Sequence, residues 1–154
     1  MKIGIPREIK TREARVSITP AGVAVLVGHG HDVTIEKDAG RASGFSDEAY
    51  KKAGAVINPD PDEVWAWSDM VVKVKEPIAA EYHRLKEGQV LFTFLHLAAT
   101  KELTRELAER KIVAIAYETI QLEDGSLPLP APMSAVAGRL SIQMGCGFME
   151  YDAA

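Results

Sequence analysis

The chain has one cysteine in 154 residues. No internal disulfide can form, and a reducing compartment, the cytoplasm, is the expected setting. No apolar run approaches the ~20 residues of a membrane span. The opening Met1-Lys2-Ile3-Gly4-Ile5-Pro6 reads as the start of a strand and not as a signal peptide. Basic clusters are missing as well: 18 Lys and Arg stand against 22 Asp and Glu, a balance that argues against a nucleic-acid surface. The doublet Lys51-Lys52 reads as a solvated helix face. The histidines show no metal-ligand spacing, so no metal site is expected. Glycines are dispersed. Gly40, Gly44, Gly54 and Gly88 read as turns, and Gly145-Cys146-Gly147 follows no strand and lacks the third glycine of a dinucleotide fingerprint. By themselves these residues carry no nucleotide-binding signal, and Cys146 reads as a small packing residue.

What is present is alternation of strand and helix patterns within a length that suits one well-cored domain. Lys2–Pro6 reads as a strand stopped by proline. Thr19-Pro20 is a helix start, with Val23, Leu26 and Val27 on the apolar side and Gly28-His29-Gly30 as the stop. Asp32–Lys37 alternates like a strand. Ser46 caps a short helix over Asp47–Ala53, and Ala55–Ile57 is a third strand. Asp60–Trp67 is helical in pattern. The apolar run Met70–Val74 is a strand that delivers Lys75, a helix is expected around Ala80–Leu85, and Val90–Leu95 is a strand that delivers His96. Thr100 caps an amphipathic helix with Leu103 and Leu107 at i, i+4, and Ile112–Ala116 is expected as another buried strand. Together these predict an α/β fold with a doubly wound, mostly parallel sheet, of the Rossmann or flavodoxin-like kind. Pro128, Pro130 and Pro132 then predict a stiff extended spacer, and Ser134 is expected to cap one long final helix, Ala135–Met149.

Two buried strands that each end on a titratable side chain are the sharpest functional signal. Ligands of open α/β sheets bind at the carboxyl ends of the strands. Lys75 there can grip a carboxylate or polarise a carbonyl oxygen, though a plain surface lysine paired with Glu76 is an even alternative. His96, where the strand meets its loop, can serve as a general acid/base near neutral pH, against the blander case of a core histidine satisfied by a carbonyl. The loop from Arg7 to Val16 opens on the same rim. Arg15, set against Val16 and Ile18, is the member expected to be drawn inward, and a guanidinium is the natural fork for a carboxylate. The other charges of the loop are expected to be solvated or paired among themselves.

These residues sit in motifs. Ile3-Gly4-Ile5-Pro6-Arg7-Glu8-Ile9-Lys10 is followed by Glu13-x-Arg15-Val16, by Lys73-Val74-Lys75-Glu76-Pro77, and by Leu91-Phe92-Thr93-Phe94-Leu95-His96-Leu97-Ala98. Ala114-Ile115-Ala116-Tyr117-Glu118-Thr119 and Pro132-Met133-Ser134-x-Val136-Ala137-Gly138-Arg139 complete the set. With them the chain resembles, from Met1 to about Glu150, the N-terminal substrate domain of the alanine dehydrogenase/transhydrogenase family. The Lys75 and His96 pair favours the dehydrogenase branch, since the transhydrogenase subunit shares the opening motif without that pair.

The resemblance implies reversible, NAD-dependent conversion of L-alanine and water to pyruvate and ammonia. It assigns Arg15 to the substrate carboxylate, Lys75 to the carboxylate or carbonyl oxygen, and His96 to acid/base chemistry. Met133 would line the pocket and Ser134 would meet the cofactor. It further implies a substrate-binding domain over 1–133 and an interdomain-type helix over 134–154. The NAD-binding Rossmann domain, and an acidic residue expected to assist from it, are absent from these residues. The chain is therefore expected to be inactive alone, and to form a homo-oligomer through apolar surface at the final helix. Two other readings remain: a non-enzymatic module that binds small carboxylates or assembles with partners, and a transhydrogenase-like subunit.

Overall fold

Lys2-Ile3-Gly4-Ile5 forms the first strand, β1 (Lys2–Ile5), and Pro6 ends it by withdrawing a backbone donor. The structure, a computed structural model, describes residues 1–150; the last four of the expected 134–154 segment lie outside the described residues. The chain divides into two compact units, the first of Met1–Ala116 and the second beginning at Tyr117.

In the first unit the local signals work as the side chains dictate. The Thr19 hydroxyl accepts from the Gly22 amide and Pro20 occupies the first turn of α1 (Pro20–Gly28). β2 (Asp32–Glu36) follows. Ser46 caps α2 (Asp47–Lys52) through the Ala49 amide. After β3 (Val56–Asn58), Asp60 accepts from the Asp62 and Glu63 amides at the start of α3 (Pro61–Trp67). A side-chain cap of this kind contributes about 1 kcal/mol. The remaining elements are β4 (Met70–Val72), β5 (Val90–Thr93), α4 (Lys101–Glu109) and β6 (Val113–Ala116).

All six strands are parallel, in the order β3-β2-β1-β4-β5-β6. The doubly wound α/β sheet is thus observed. The order of strand addition reverses between β1 and β4, the topological switch point at which open sheets form a crevice. Beside it α3 packs closely on β1: a Cβ added at Gly4 would stand 2.0 Å from the Ser68 hydroxyl oxygen, which donates to the Val64 carbonyl. On the β4–β5 side, Trp65, Val71, Tyr82, Leu85, Leu91, Leu95, Leu103 and Leu107 form the core, with Ile112 and Ala116 packed against it.

Four local expectations need correction here. β4 and β5 stop at Val72 and Thr93, short of Val74 and Leu95, although pairing continues as Lys73 N–H donates to Phe92 O and Phe94 N–H to Val74 O. The helix expected around Ala80–Leu85 is a tighter 3₁₀ segment, Ala79–Arg84, because Glu81 turns back to accept from the Ile78 amide. Thr100 stands at the start of α4 without a side-chain cap bond; its carbonyl instead accepts from the Thr104 hydroxyl. β6 is an edge strand with Val113, Ala114 and Ile115 exposed, not a buried one, since only β5 flanks it.

The second unit starts with a 3₁₀ turn, Tyr117–Thr119, and ends in α5 (Ala131–Met149). Proline does not stiffen its approach into an extended spacer. Pro130 is in the right-handed helical region at the head of α5, and Pro132 sits in the first turn, where a missing N–H costs nothing. Ser134 is therefore inside the first turn, its amide donating to Pro130 O, and is not the cap. Cys146, expected as a packing residue, is exposed.

Candidate active site at the carboxyl rim

Both segments that flank the switch point carry charge. The long crossover from β1 to α1 holds Arg7 to Arg15, and the residues after β4 run Lys73-Val74-Lys75-Glu76-Pro77. Ser17 ties the two together by donating to the Val72 carbonyl at 2.8 Å.

Lys73 lies inside the sheet layer, its side chain 1 % exposed. Its ammonium pairs with Glu81 at 2.7 Å and Glu8 at 3.4 Å and stands 5.9 Å from the centroid of the Trp65 ring. The other Glu8 oxygen accepts from the amides of Val74 and Lys75 at 2.6 and 3.3 Å. A buried carboxylate thus grips the backbone at Lys75 while a buried ammonium holds the carboxylate. Sequence reasoning missed this trio. The available signal was Lys73 itself, a charge inside an apolar strand, where an ionised group requires a partner.

Lys75 is half-buried. Among the described residues no hydrogen bond or ion pair takes up its ammonium, and its charge instead acts on the nearby Glu13 carboxylate. The alternative of a Lys75–Glu76 surface pair is not what forms. Glu76 turns to Lys10, with Oε1 accepting from Nζ, and to His96, whose Nδ1 lies 3.2 Å from Oε2. Burial works to raise the Glu76 carboxyl, but the hydrogen bonds from Lys10, its own backbone and His96 prevail and hold it below the ordinary carboxylate range.

Arg15 is not drawn inward. Its side chain is 45 % exposed whereas Glu13 is 8 % exposed, because Glu13 Oε1 accepts from Arg15 Nε at 2.8 Å and from its amide, and Oε2 accepts from a terminal guanidinium nitrogen at 2.6 Å. The Arg15 side-chain hydrogen bond, helped by the charges of Arg15 and Lys75, outweighs burial and takes the Glu13 carboxyl from 4.5 to about 2. The same bond raises the guanidinium further. Of the remaining loop charges, expected to be solvated or paired among themselves, Arg12 is exposed and Glu13 pairs within the loop, but others find partners outside it. Arg7 pairs with Glu36, Glu8 with Lys73 and Lys10 with Glu76.

His96 is an exposed residue in the left-handed region, φ +48°, a conformation that costs a side-chain-bearing residue about 1–2 kcal/mol. Its ring stacks on Phe94, centroids 5.9 Å apart. The loop contacts therefore bring Lys75, His96 and the Arg15–Glu13 pair onto one rim. Met133 and Ser134 belong to the second unit, both exposed in the first turn of α5.

A dinucleotide finds no cradle in the first unit. The β1–α1 crossover contains no glycine between Pro6 and Thr19, and the α1 N-terminus is capped by Thr19. Glu36, the acidic end of β2, is buried and occupied by the Arg7 amide at 2.9 Å and its guanidinium. These residues do not fit such a group.

This geometry has known counterparts. The sequence model of the alanine dehydrogenase/PNT N-terminal domain matches residues 4–137. The chain belongs to that family. Alanine dehydrogenase of Geobacillus stearothermophilus is 56 % identical over 153 residues, which is 97 % of this chain and 40 % of the relative. Alanine dehydrogenase 2 of Staphylococcus aureus is 56 % identical over 150 residues, again 40 % of its length. A solved L-alanine dehydrogenase superposes with a TM-score of 0.92 at 51 % identity, covering 97 % of this chain and 41 % of that one. A transhydrogenase from Sinorhizobium meliloti reaches 0.72 at 27 % identity, over 77 % of this chain and 35 % of its own. This family member thus spans about two-fifths of the curated relatives it matches.

Proposed function

We propose that the chain is the substrate-binding part of an NAD-dependent alanine dehydrogenase, which holds L-alanine or pyruvate while hydride passes to or from a nicotinamide supplied by other polypeptide. The observation that carries this reading is the Lys75 ammonium: half-buried at the switch-point crevice, and unclaimed by any ion pair among the described residues while the carboxylates around it are taken by other cations. A group in that condition suits the carboxylate or carbonyl oxygen of a small keto acid. Arg15 offers a second cationic contact, a guanidinium, to the carboxylate, kept in position by Glu13. His96 passes a proton to and from the oxygen or nitrogen on the reacting carbon. In the oxidative direction L-alanine and water become pyruvate and ammonia, and the hydride leaves with the cofactor. Met133 is assigned to the pocket wall and Ser134 to the cofactor side. The substrate part spans 1–133, with 134–154 as the interdomain-type segment. A cytoplasmic setting and a homo-oligomer complete the proposal.

Calorimetry with pyruvate is the test. The wild-type chain is expected to bind and Lys75→Ala to lose binding. Absence of pyruvate binding by the folded wild type would overturn the reading in favour of an assembly module. Because the rim does not fit a dinucleotide, the 154-residue chain alone is expected to form no NADH from L-alanine; robust formation would overturn the assignment of the cofactor site to other polypeptide.

A further inference from the structure

His96 reaches its place by three constraints at once. Its backbone is in the left-handed region, its ring is stacked on Phe94 with planes 28° apart, and its Nδ1 faces Glu76 at 3.2 Å. Glu76 is itself immobilised. Its side chain is 11 % exposed, the rigid Pro77 follows it, and its two oxygens are divided, Oε1 for Lys10 and Oε2 for His96.

An ionised carboxylate only accepts hydrogen bonds. The contact therefore requires the proton on Nδ1, whichever charge state the imidazole is in. We propose that Glu76, anchored by Lys10, is a positioning residue that fixes neutral His96 as its Nδ1–H tautomer and so makes Nε2 the nitrogen that takes up and returns the reaction's proton. This rests on the assignment of His96 as the proton carrier. It goes beyond it in naming which nitrogen works and what chooses it. In water a histidine side chain favours the opposite tautomer, so an unassisted imidazole would present mainly the wrong nitrogen. Orientation and tautomer of an acid/base histidine are commonly set by the group bonded to its other nitrogen. Here that group is on the neighbouring strand's exit loop, one residue after Lys75. The substrate-gripping cation and the histidine's orienting anion are thus held by one rigid segment.

The tautomer is read directly from long-range ¹H–¹⁵N spectra of the labelled chain at a pH where the imidazole is neutral, with the His96 signals identified by their loss in His96→Gln. The expected result is Nδ1 at the protonated-nitrogen position and Nε2 at the bare one, with the two moving toward exchange of positions in Glu76→Ala. Should Glu76→Ala not fold, Glu76→Asp is read in the same way, since it keeps a charge for Lys10 but withdraws the carboxylate by one methylene. Wild-type His96 as the Nε2–H form would overturn the proposal, as would a folded variant whose nitrogens stay where they were. The spectra need no substrate. A failed pyruvate titration with the tautomer in place condemns the functional reading alone, and a wrong tautomer beside intact pyruvate binding condemns only the role of Glu76.

Discussion

At Lys73 an ammonium sits within the sheet layer between two carboxylates, Glu8 and Glu81, all three side chains at most 3 % exposed. Such a trio is not a simple gain in stability, because desolvation of each ion opposes the attraction between them. Breaking it is another matter. Lys73→Met is isosteric in length but strands two buried carboxylates, and we expect a loss of about 3–5 kcal/mol, visible as a lower midpoint in urea unfolding. A loss under about 1 kcal/mol would show that the carboxylates find other partners. The trio bears on the rim because Glu8 also accepts from the Lys75 amide, so residue-scale electrostatics set where the Lys75 side chain begins.

The elements that meet at the switch point are short, and what holds them is close packing more than length. β1 contributes four residues and β4 three, and α3 approaches β1 so nearly that only hydrogen fits at Gly4. Gly4→Ala must push the Ser68 hydroxyl off Val64 O or move α3 away from the strand. Overpacking of this sort costs about 1–3 kcal/mol, and thermal unfolding is expected to shift downward accordingly. An unchanged melting temperature would show that α3 slides freely on the sheet. Caps and periods in the sequence located these elements well: Thr19 and Ser46 each bond where their positions predict, while Asp60, read as the first residue of its helix, caps it instead. The misplacements occur where a distant group competes. Glu81 tightens a helix into 3₁₀ form while its other oxygen serves Lys73. Of the three prolines, Pro128 lies in the turn before α5, while Pro130 at its N-cap and Pro132 in its first turn fall where no donor is needed.

At the scale of the whole molecule the described surface leaves much apolar area in water. On α5, Ile142 and Met149 on one side and Met144 and Phe148 on roughly the opposite side are all more than 60 % exposed, apolar side chains around the helix that call for a partner surface. We expect the purified chain to associate, with a light-scattering mass of at least a dimer that falls toward the monomer in Met144→Glu/Phe148→Glu. A monomer at high concentration would count against it. No helix among the described residues is long and apolar enough to cross a membrane.

The sequence by itself determined the alternation of strands and helices, the parallel α/β class, the family, and the two strand exits that carry Lys75 and His96. Those follow from signals that act within a few residues: a cap reaches three positions ahead, and an apolar run marks a strand, although whether it is buried depends on its place in the sheet, as the exposed edge strand β6 shows. Only the tertiary structure decided the partners. Lys10 meets Glu76 across 66 positions and Glu8 meets the Val74 amide across as many, pairings that exist because β1 and β4 are neighbours at the switch point. Composition shows that these charges are present and near balance. Which carboxylate is buried and which cation is claimed by it depends on sheet order, because a charge selects its partner by distance and dielectric and not by place in the chain.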